Sequence, residues 1–179
     1  MLRRRTPPIV VLALALLAAL LVLERGRKGS DEGGALRARV VRAVDGDTLK
    51  VSVGGRLESV RVLGIDTPET HRPGTPIECG GPEASAHLER LLPAGTSVVL
   101  EADASQDRVD RYGRLLAYVR MPGGRLAEEE QLRAGWAESY VYGGRPVARF
   151  GTFRDAEAAA RGARRGVWGL CGGDFHSAG

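Results

Sequence analysis

The sequence lacks several features that would point to common classes of protein. It contains no Asn, and therefore no acceptor site for N-linked glycosylation. Only two Cys and three His occur among the 179 residues, and they are too scattered to give the ligand spacing of a zinc site. No internal repeat is visible. Gly is abundant instead, with 25 residues, which argues for many turns and against a helical bundle.

The folded part of the chain also lacks an excess of positive charge. The formal net charge is +4, but six basic residues and one acidic residue lie within residues 1–29. The remainder holds 20 basic and 21 acidic side chains. Bulk charge therefore gives no argument that the folded part binds nucleic acid, and such an argument must come from local placement.

A basic cluster precedes the longest apolar run. Three Arg at residues 3–5 come before an apolar segment over residues 9–23, and residues 24–35 form a charged, Gly-rich linker. The run is shorter than the roughly 20 residues of a spanning helix but fits an export signal. We therefore predict a hydrophobic helix within residues 1–23 that is a signal peptide or signal anchor. The domain would be secreted, or held outside the cytoplasmic membrane through residues 7–23.

The two cysteines fit this predicted export. In an exported protein an even count of Cys indicates one disulfide, here between Cys79 in a mid-chain loop and Cys171 near the C-terminus. Such a bridge closes a loop of about 90 residues and would stabilise the fold by ~3–5 kcal/mol.

Alternating, Val-rich segments predict five short strands, at residues 37–44, 48–53, 56–65, 97–101 and 113–121. Helical spacing predicts a helix opened by Gly81-Pro82, a second over residues 126–134 and a third over residues 147–165. The third would turn Phe150, Phe153, Ala160 and Ala163 inward. Together these elements predict an α+β domain over residues 36–172, a five-stranded barrel of the oligonucleotide-binding type with about three packed helices. A tail follows at residues 173–179.

Two acidic segments lie at the two ends of one predicted hairpin. Asp47 belongs to DGDT before the second strand, and Asp66 opens DTPET after the third. Alone, each segment is typical of a solvated turn. The hairpin brings both carboxylates close together, and they repel each other unless a cation lies between them. Ca²⁺ accepts such oxygen ligands, and the Thr67 carbonyl would add another. Glu69 would then accept a proton from a metal-bound water.

Two arginines are candidates for binding a phosphate. Arg61 lies on the third predicted strand and Arg114 closes DRYGR. Taken singly, each is more simply a surface side chain, but a planar guanidinium suits a phosphate. Arg61 precedes Asp66 by five residues, which places them on opposite faces of a continuous strand unless the chain bends near Gly64.

Three tyrosines are either packing residues or a platform for a base, namely Tyr112, Tyr140 and Tyr142.

In this order the motifs resemble the staphylococcal nuclease (thermonuclease) family. The resemblance runs from about residue 39 to residue 169. It rests on VDGDT (44–48), RVLGIDTPET (61–70), GPEAS (81–85), DRYGRLLAYV (110–119) and YVY (140–142). It implies an oligonucleotide-binding barrel with three helices, and Ca²⁺-dependent cleavage of DNA and RNA.

The resemblance also implies a role for each matched position. The metal ligands would be Asp47, Asp66 and the Thr67 carbonyl. The catalytic residues would be Glu69, which holds or deprotonates the attacking water, and Arg61 and Arg114, which bind the phosphate and stabilise the transition state. The substrate-binding residues would be Arg111, Tyr112, Tyr140 and Tyr142. Arg111 stands where the family commonly has Lys, and the loop over residues 71–80 lacks the Lys-rich stretch familiar in the family.

The sequence thus predicts a monomeric nuclease that acts on single-stranded or locally melted DNA and RNA. The alternative is a non-catalytic nucleic-acid-binding barrel anchored outside the membrane. A degenerate barrel should have lost some of the charged site residues, whereas all five are present, namely Asp47, Arg61, Asp66, Glu69 and Arg114.

Overall fold

The computed structural model describes residues 35–70, 74 and 76–178. The described residues all belong to one compact unit, Gly33–Gly179. The predicted export segment therefore lies outside the described residues. Within the described part of the chain, no helix is long and apolar enough to cross a membrane.

Seven strands and four helices are present in the described residues. The strands are β1 Ala35–Ala43, β2 Thr48–Val53, β3 Arg56–Val62, β4 Ile65–Asp66, β5 Ser97–Glu101, β6 Leu115–Arg120 and β7 Glu138–Ser139. The helices are α1 Gly81–Leu91, α2 Ala127–Ala134, α3 Phe150–Gly162 and α4 Val167–Leu170.

Five of the strands close into a barrel, in the order β1-β2-β3-β6-β5 with β5 returning to β1. Neighbouring strands are antiparallel, except that β3 and β6 run parallel. The predicted five-stranded barrel with packed helices is therefore confirmed. The parallel pairing and the small β4–β7 sheet were not predicted, because neither leaves a local signal in the sequence.

The barrel is filled by the inward-facing members of its alternating strands. Leu49, Val51, Val60 and Val119 are each fully buried. Burying each such side chain contributes about 1.5–3 kcal/mol. Phe153 of α3 completes this core, with its ring edge-on to a barrel side chain at a centroid distance of 6.0 Å. The core thus fixes the ends of the strands, from which the polar side chains project.

The predicted third strand is wrong in one respect, because it is broken at Gly64. The backbone there has φ +75°, and β4 leaves the barrel to pair with β7. A Cβ at Gly64 would lie 2.7 Å from Val147 and 2.8 Å from Phe153. This position therefore requires glycine for both its conformation and its space.

The predicted helix over residues 147–165 is too long. α3 begins at Phe150 and ends at Gly162, and Ala163 is exposed rather than inward-facing. Beyond the helix, the Val167 N–H donates to the Gly135 carbonyl at 2.9 Å. The chain leaves the helix early because it must cross close to the end of α2.

The Cys79–Cys171 disulfide is present, with a Cα–Cα distance of 6.0 Å. It fastens the C-terminal tail to the segment before α1. The Cys79 N–H also donates to the Ser177 carbonyl at 2.9 Å, and Glu78 pairs with Ala178 in an isolated bridge. The tail is therefore attached to the segment that follows β4, and it runs alongside that segment.

Candidate active site

A cavity of about 280 Å³ opens beside the ends of β2 and β3. Seven of the ten predicted site residues line it, namely Asp47, Arg61, Asp66, Thr67, Glu69, Tyr112 and Arg114. The other lining residues are Asp45, Thr48, Pro68, Glu78 and His176.

Asp47 is held at the entry to β2 by residues on both sides of the hairpin. Its Oδ2 accepts hydrogen bonds from the backbone N–H and the hydroxyl of Thr67, both at 3.1 Å. Its Oδ1 accepts the Thr48 hydroxyl at 3.1 Å. Only 6% of the residue is exposed. These bonds fix the carboxylate against the segment that follows β4.

Arg61 joins the two acidic segments. Its Nη2 lies 2.7 Å from Asp66 and 3.1 Å from Asp47, while its Nη1 donates to the carbonyls of Val62 and Ile65 at 2.8 and 2.9 Å. The bend at Gly64 brings Arg61 and Asp66 together although their spacing on a straight strand would separate them. Burial opposes the charge of this guanidinium, but Asp47 and Asp66 more than compensate and raise its pKa.

The acidic side chains carry more negative charge than Arg61 balances. Burial, followed by repulsion from Asp47, raises the pKa of Asp45 to about 7. Burial raises the pKa of Asp66 to about 6, with Arg61 acting in the opposite direction. The carboxylate, hydroxyl and carbonyl oxygens gathered here are the donors that hard cations such as Ca²⁺ prefer.

Glu69 is half-buried in the segment after β4. Its backbone N–H donates to the Glu78 carboxylate at 2.6 Å. Its own carboxylate accepts the Thr70 N–H at 2.9 Å. The acidic side chain is therefore placed at the wall of the same cavity as Asp47 and Asp66.

Arg114 is oriented by Asp110 across a tight loop. One oxygen of Asp110 accepts the N–H groups of Tyr112 and Arg114, both at 2.9 Å. The other accepts the Arg114 Nε–H at 2.6 Å. Although burial acts against it, these bonds lower the pKa of Asp110. Asp110 binds the Nε edge of the guanidinium, and among the described residues no hydrogen bond from its Nη end is present. Since Arg114 lines the cavity, that end can bind a ligand there.

Arg111, Tyr140 and Tyr142 are not among the residues that line the cavity. Arg111 donates to the Tyr112 hydroxyl at 2.5 Å and lies 4.7 Å from the centre of that ring. Tyr112 and, to a smaller extent, Tyr142 raise the pKa of Arg111. Tyr140 is 40% exposed and Tyr142 is 59% exposed. These side chains lie on the surface beside the cavity rather than within it.

Sequence reasoning missed three ionisable residues of the site, Asp45, Glu78 and His176. Asp45 accepts the Asp47 N–H at 3.0 Å, and the DGDT motif already contained it. Glu78 and His176 approach each other, with 3.6 Å between a carboxylate oxygen and Nδ1. The predicted disulfide is the sequence feature that could have identified them, because a bond between Cys79 and Cys171 brings Glu78 and His176 close together.

The fold and the site define an α+β protein built on a five-stranded barrel of the oligonucleotide-binding type, with an acidic cavity that contains two arginines. Residues 59–169 match the family described as "Staphylococcal nuclease homologue". The chain belongs to the staphylococcal nuclease family, and the resemblance seen in its motifs is confirmed.

Several named proteins are similar to this chain. The "Thermonuclease" of Staphylococcus hyicus is 34% identical over 164 residues, which cover 89% of this chain and 94% of that protein. The "SPbeta prophage-derived endonuclease YokF" of Bacillus subtilis (strain 168) is 40% identical over 129 residues, which cover 71% of this chain and 42% of that protein. "Endonuclease YncB" of the same strain is 39% identical over 133 residues, which cover 73% and 61%. The chain thus spans less than two thirds of either B. subtilis protein.

Proposed function

We propose that the protein is a Ca²⁺-dependent nuclease that hydrolyses phosphodiester bonds of DNA and RNA. The observation that carries the proposal is a single cavity lined by Asp47, Asp66, Glu69, Arg61 and Arg114. The cavity offers oxygen atoms that can bind a cation, a carboxylate that can accept a proton and two guanidinium groups that can bind a phosphate. The family membership and the nuclease names of the relatives support the same reading.

Asp47, Asp66 and the carbonyl oxygen of Thr67 would hold the Ca²⁺. Both carboxylates lie within 3.1 Å of one Arg61 nitrogen, so they converge on one point. The donor chemistry fits a hard cation, and so small a set of protein ligands would leave room for water and substrate. When bound, the cation would supply electrophilic polarisation of a phosphoryl oxygen.

Side chains of the protein would transfer the proton and stabilise the charge of the transition state. Glu69 would accept a proton from the attacking water as the water oxygen bonds to phosphorus. The bond from phosphorus to the leaving ester oxygen would then break on the opposite side, and the departing oxygen would take up a proton from solvent water. Arg61 and Arg114 would neutralise the charge that develops on the phosphoryl oxygens, each through a planar fork of donors.

Exposed residues at the wall of the cavity and beside it would bind the nucleotide. Tyr112, Tyr140 and Tyr142 offer ring faces on which unpaired bases stack, and Arg111 adds a positive charge. We therefore propose single-stranded or locally melted nucleic acid as the substrate of a monomeric enzyme.

We propose that the enzyme acts outside the cytoplasmic membrane, either secreted or anchored through residues 7–23. The apolar segment after three Arg supports export. The Cys79–Cys171 disulfide supports it independently, because such bonds persist in oxidising compartments.

A digestion assay tests the proposed activity. The full-length protein is incubated with single-stranded DNA or RNA in Ca²⁺ or in EDTA, and the products are separated on a gel. We expect cleavage in Ca²⁺ and none in EDTA. Binding of the substrate without cleavage in Ca²⁺ would replace the proposal with a non-catalytic binding barrel.

A further inference from the structure

We propose that the C-terminal tail builds a second cation site, for a transition metal of the Zn²⁺ class, from Asp66, Glu138 and His176. One ligand atom from each of the three residues lies within 4.8 Å of the other two. Small side-chain rotations would bring these atoms to metal–ligand distances of about 2.0–2.2 Å. The residues come from β4, β7 and the tail, so the site exists only in the folded chain.

The donor set selects the kind of metal. One imidazole nitrogen with two carboxylates suits Zn²⁺ and related transition metals. Ca²⁺ prefers oxygen ligands throughout, and the set of Asp47, Asp66 and the Thr67 carbonyl supplies only oxygen. The two sites therefore differ in chemistry while sharing Asp66.

His176 is held in place by the attachment of the tail. The Cys79–Cys171 disulfide anchors one end, and the bond from the Cys79 N–H to the Ser177 carbonyl, at 2.9 Å, anchors the other. The imidazole itself is 57% exposed, which leaves a path for an ion from solvent. The tail thus presents a metal-binding side chain at a fixed place on the edge of the cavity.

The two ring nitrogens of His176 face different carboxylates. Nε2 lies 3.5 Å from Glu138, and Nδ1 lies 3.6 Å from Glu78. Metal-bound histidines commonly donate their second N–H to a carboxylate, which fixes the tautomer and the ring orientation. Glu78 occupies that supporting position when Nε2 binds the metal.

The surrounding charge also favours a cation. Carboxylates of Asp66, Glu138 and Glu78 lie around the His176 imidazole, and of these Asp66 is also paired with Arg61. A divalent ion would relieve the repulsion between the carboxylates.

Occupation of this site would withdraw Asp66 from the proposed catalytic centre. A transition metal bound to Asp66 competes with both Ca²⁺ and Arg61 for the same carboxylate. We therefore expect the ion to inhibit cleavage, and this consequence alone rests on the proposed function.

Calorimetric titration of the full-length protein with ZnCl₂ tests the site directly. We expect His176→Ala and Glu138→Gln each to weaken Zn²⁺ binding at least tenfold, while Ca²⁺ binding to His176→Ala is unchanged. The control is His87→Asn, whose amide can keep the contact that His87 makes with Gln131 at 2.5 Å. It should bind Zn²⁺ like the parent. X-ray absorption of the complex should show one imidazole in the first coordination sphere of the parent.

Two outcomes would overturn the site. Zn²⁺ affinity that is equal in the parent and His176→Ala would do so, as would no Zn²⁺ binding below millimolar concentrations. Cleavage assays with Ca²⁺ measure the Zn²⁺ concentration that halves the rate of each protein, compared with its own rate without Zn²⁺. This concentration should be at least tenfold higher for His176→Ala than for the parent. An equal concentration would remove Asp66 from the site. A protein without any Ca²⁺-dependent cleavage would overturn the proposed function, whereas calorimetry would still decide the metal site.

Discussion

Glu69 is the proposed proton acceptor, and its chemistry can be removed with little change in shape. In Glu69→Gln the amide oxygen can still accept the Thr70 N–H, which lies 2.9 Å from the carboxylate in the parent. We expect kcat to fall by about 10²–10⁴, since a positioned general base contributes that much. Single-turnover cleavage in Ca²⁺ measures the loss, and a thermal melt checks the fold. A kcat near that of the parent would remove Glu69 from the mechanism.

Arg61 and Arg114 differ in how much of the structure depends on them. Arg61 pairs with Asp47 and Asp66, whereas Arg114 pairs with Asp110 at a side-chain exposure of 30%. Both Lys substitutions should lower kcat about 10²–10³-fold, because a point charge cannot replace a planar fork. Arg61→Lys should also lower the free energy of unfolding by roughly 2–3 kcal/mol, because the ammonium keeps the charge but loses some of the hydrogen bonds that the guanidinium donates to Val62, Ile65 and Asp66.

Arg114→Lys is the matched control in this comparison and should lose less than about 1 kcal/mol of stability. Urea unfolding of both variants measures the difference. Equal losses in the two variants would mean that Arg61 does not hold the acidic segments together.

Glu128 shows how a single buried carboxyl makes stability depend on pH. Burial raises its pKa from 4.5 to about 8. Its Oε1 accepts the Val119 N–H at 2.8 Å, and its Oε2 has no hydrogen-bond partner among the described residues. The folded state therefore favours the neutral carboxyl. Its contribution to stability is full below pH 4.5 and is lost as the pH rises through about 8.

We expect Glu128→Gln to abolish this loss, since the amide stays neutral. The variant should gain on the order of a few kcal/mol over the parent at pH 9. Chemical denaturation at pH 5, 7 and 9 measures the free energy of unfolding. The control is Glu129→Gln, at a position that pairs with Arg133 at the surface, and it should keep the parent's pH dependence. A parent whose stability does not fall between pH 5 and pH 9 would contradict the argument.

At the scale of elements, the break between β3 and β4 decides whether the site forms. Gly64 turns the chain with φ +75°, and Arg61 then meets Asp66 at 2.7 Å. In Gly64→Ala the alanine must adopt this left-handed conformation, which costs ~1–2 kcal/mol. Its Cβ also clashes with Val147 and Phe153. We expect a loss of stability of more than about 2 kcal/mol together with weaker Ca²⁺ binding.

Gly54→Ala separates these two effects. Gly54 has φ +57° but no heavy atom within 4 Å of an added Cβ, so only the conformational cost remains. Urea unfolding and Ca²⁺ calorimetry on both variants make the comparison. If Gly64→Ala is no worse than Gly54→Ala in both measurements, the close packing at the bend does not matter to the site.

The same bend marks where sequence reasoning about the elements stopped. Strong local patterns gave β2 and β5 with their observed bounds, because alternation and turn residues are local signals. The interruption at Gly64 depends on Val147 and Phe153, which are distant in sequence. The early end of α3 likewise depends on a contact with Gly135. Tertiary contacts of this kind leave no mark on local periodicity.

At the scale of the whole molecule, much of the candidate site could be predicted, because its residues lie close together in short sequence motifs. Asp47, Asp66 and Glu69 were identified from two short segments and line one cavity. His176 could not be identified in the same way, because nothing near it in the sequence forms a motif. It reaches the cavity through the disulfide and the tail.

The disulfide therefore affects both the free energy of unfolding and the position of the tail that places His176 at the cavity. It closes a sequence separation of 92 residues, and its removal in the double variant Cys79→Ala, Cys171→Ala should cost about 3–5 kcal/mol. The backbone N–H at residue 79 donates to the Ser177 carbonyl, so its hydrogen exchange should accelerate when the tail is released. The Val119 N–H, buried against Glu128, should lose protection only through the global loss of stability.

Guanidinium unfolding and hydrogen exchange resolved by mass spectrometry measure the two effects. Reduction of the parent protein serves as a control, since it breaks the same bond without changing the sequence, and it should reproduce both results. Unchanged exchange at residue 79 in both the variant and the reduced protein would mean that backbone pairing alone holds the tail at the cavity.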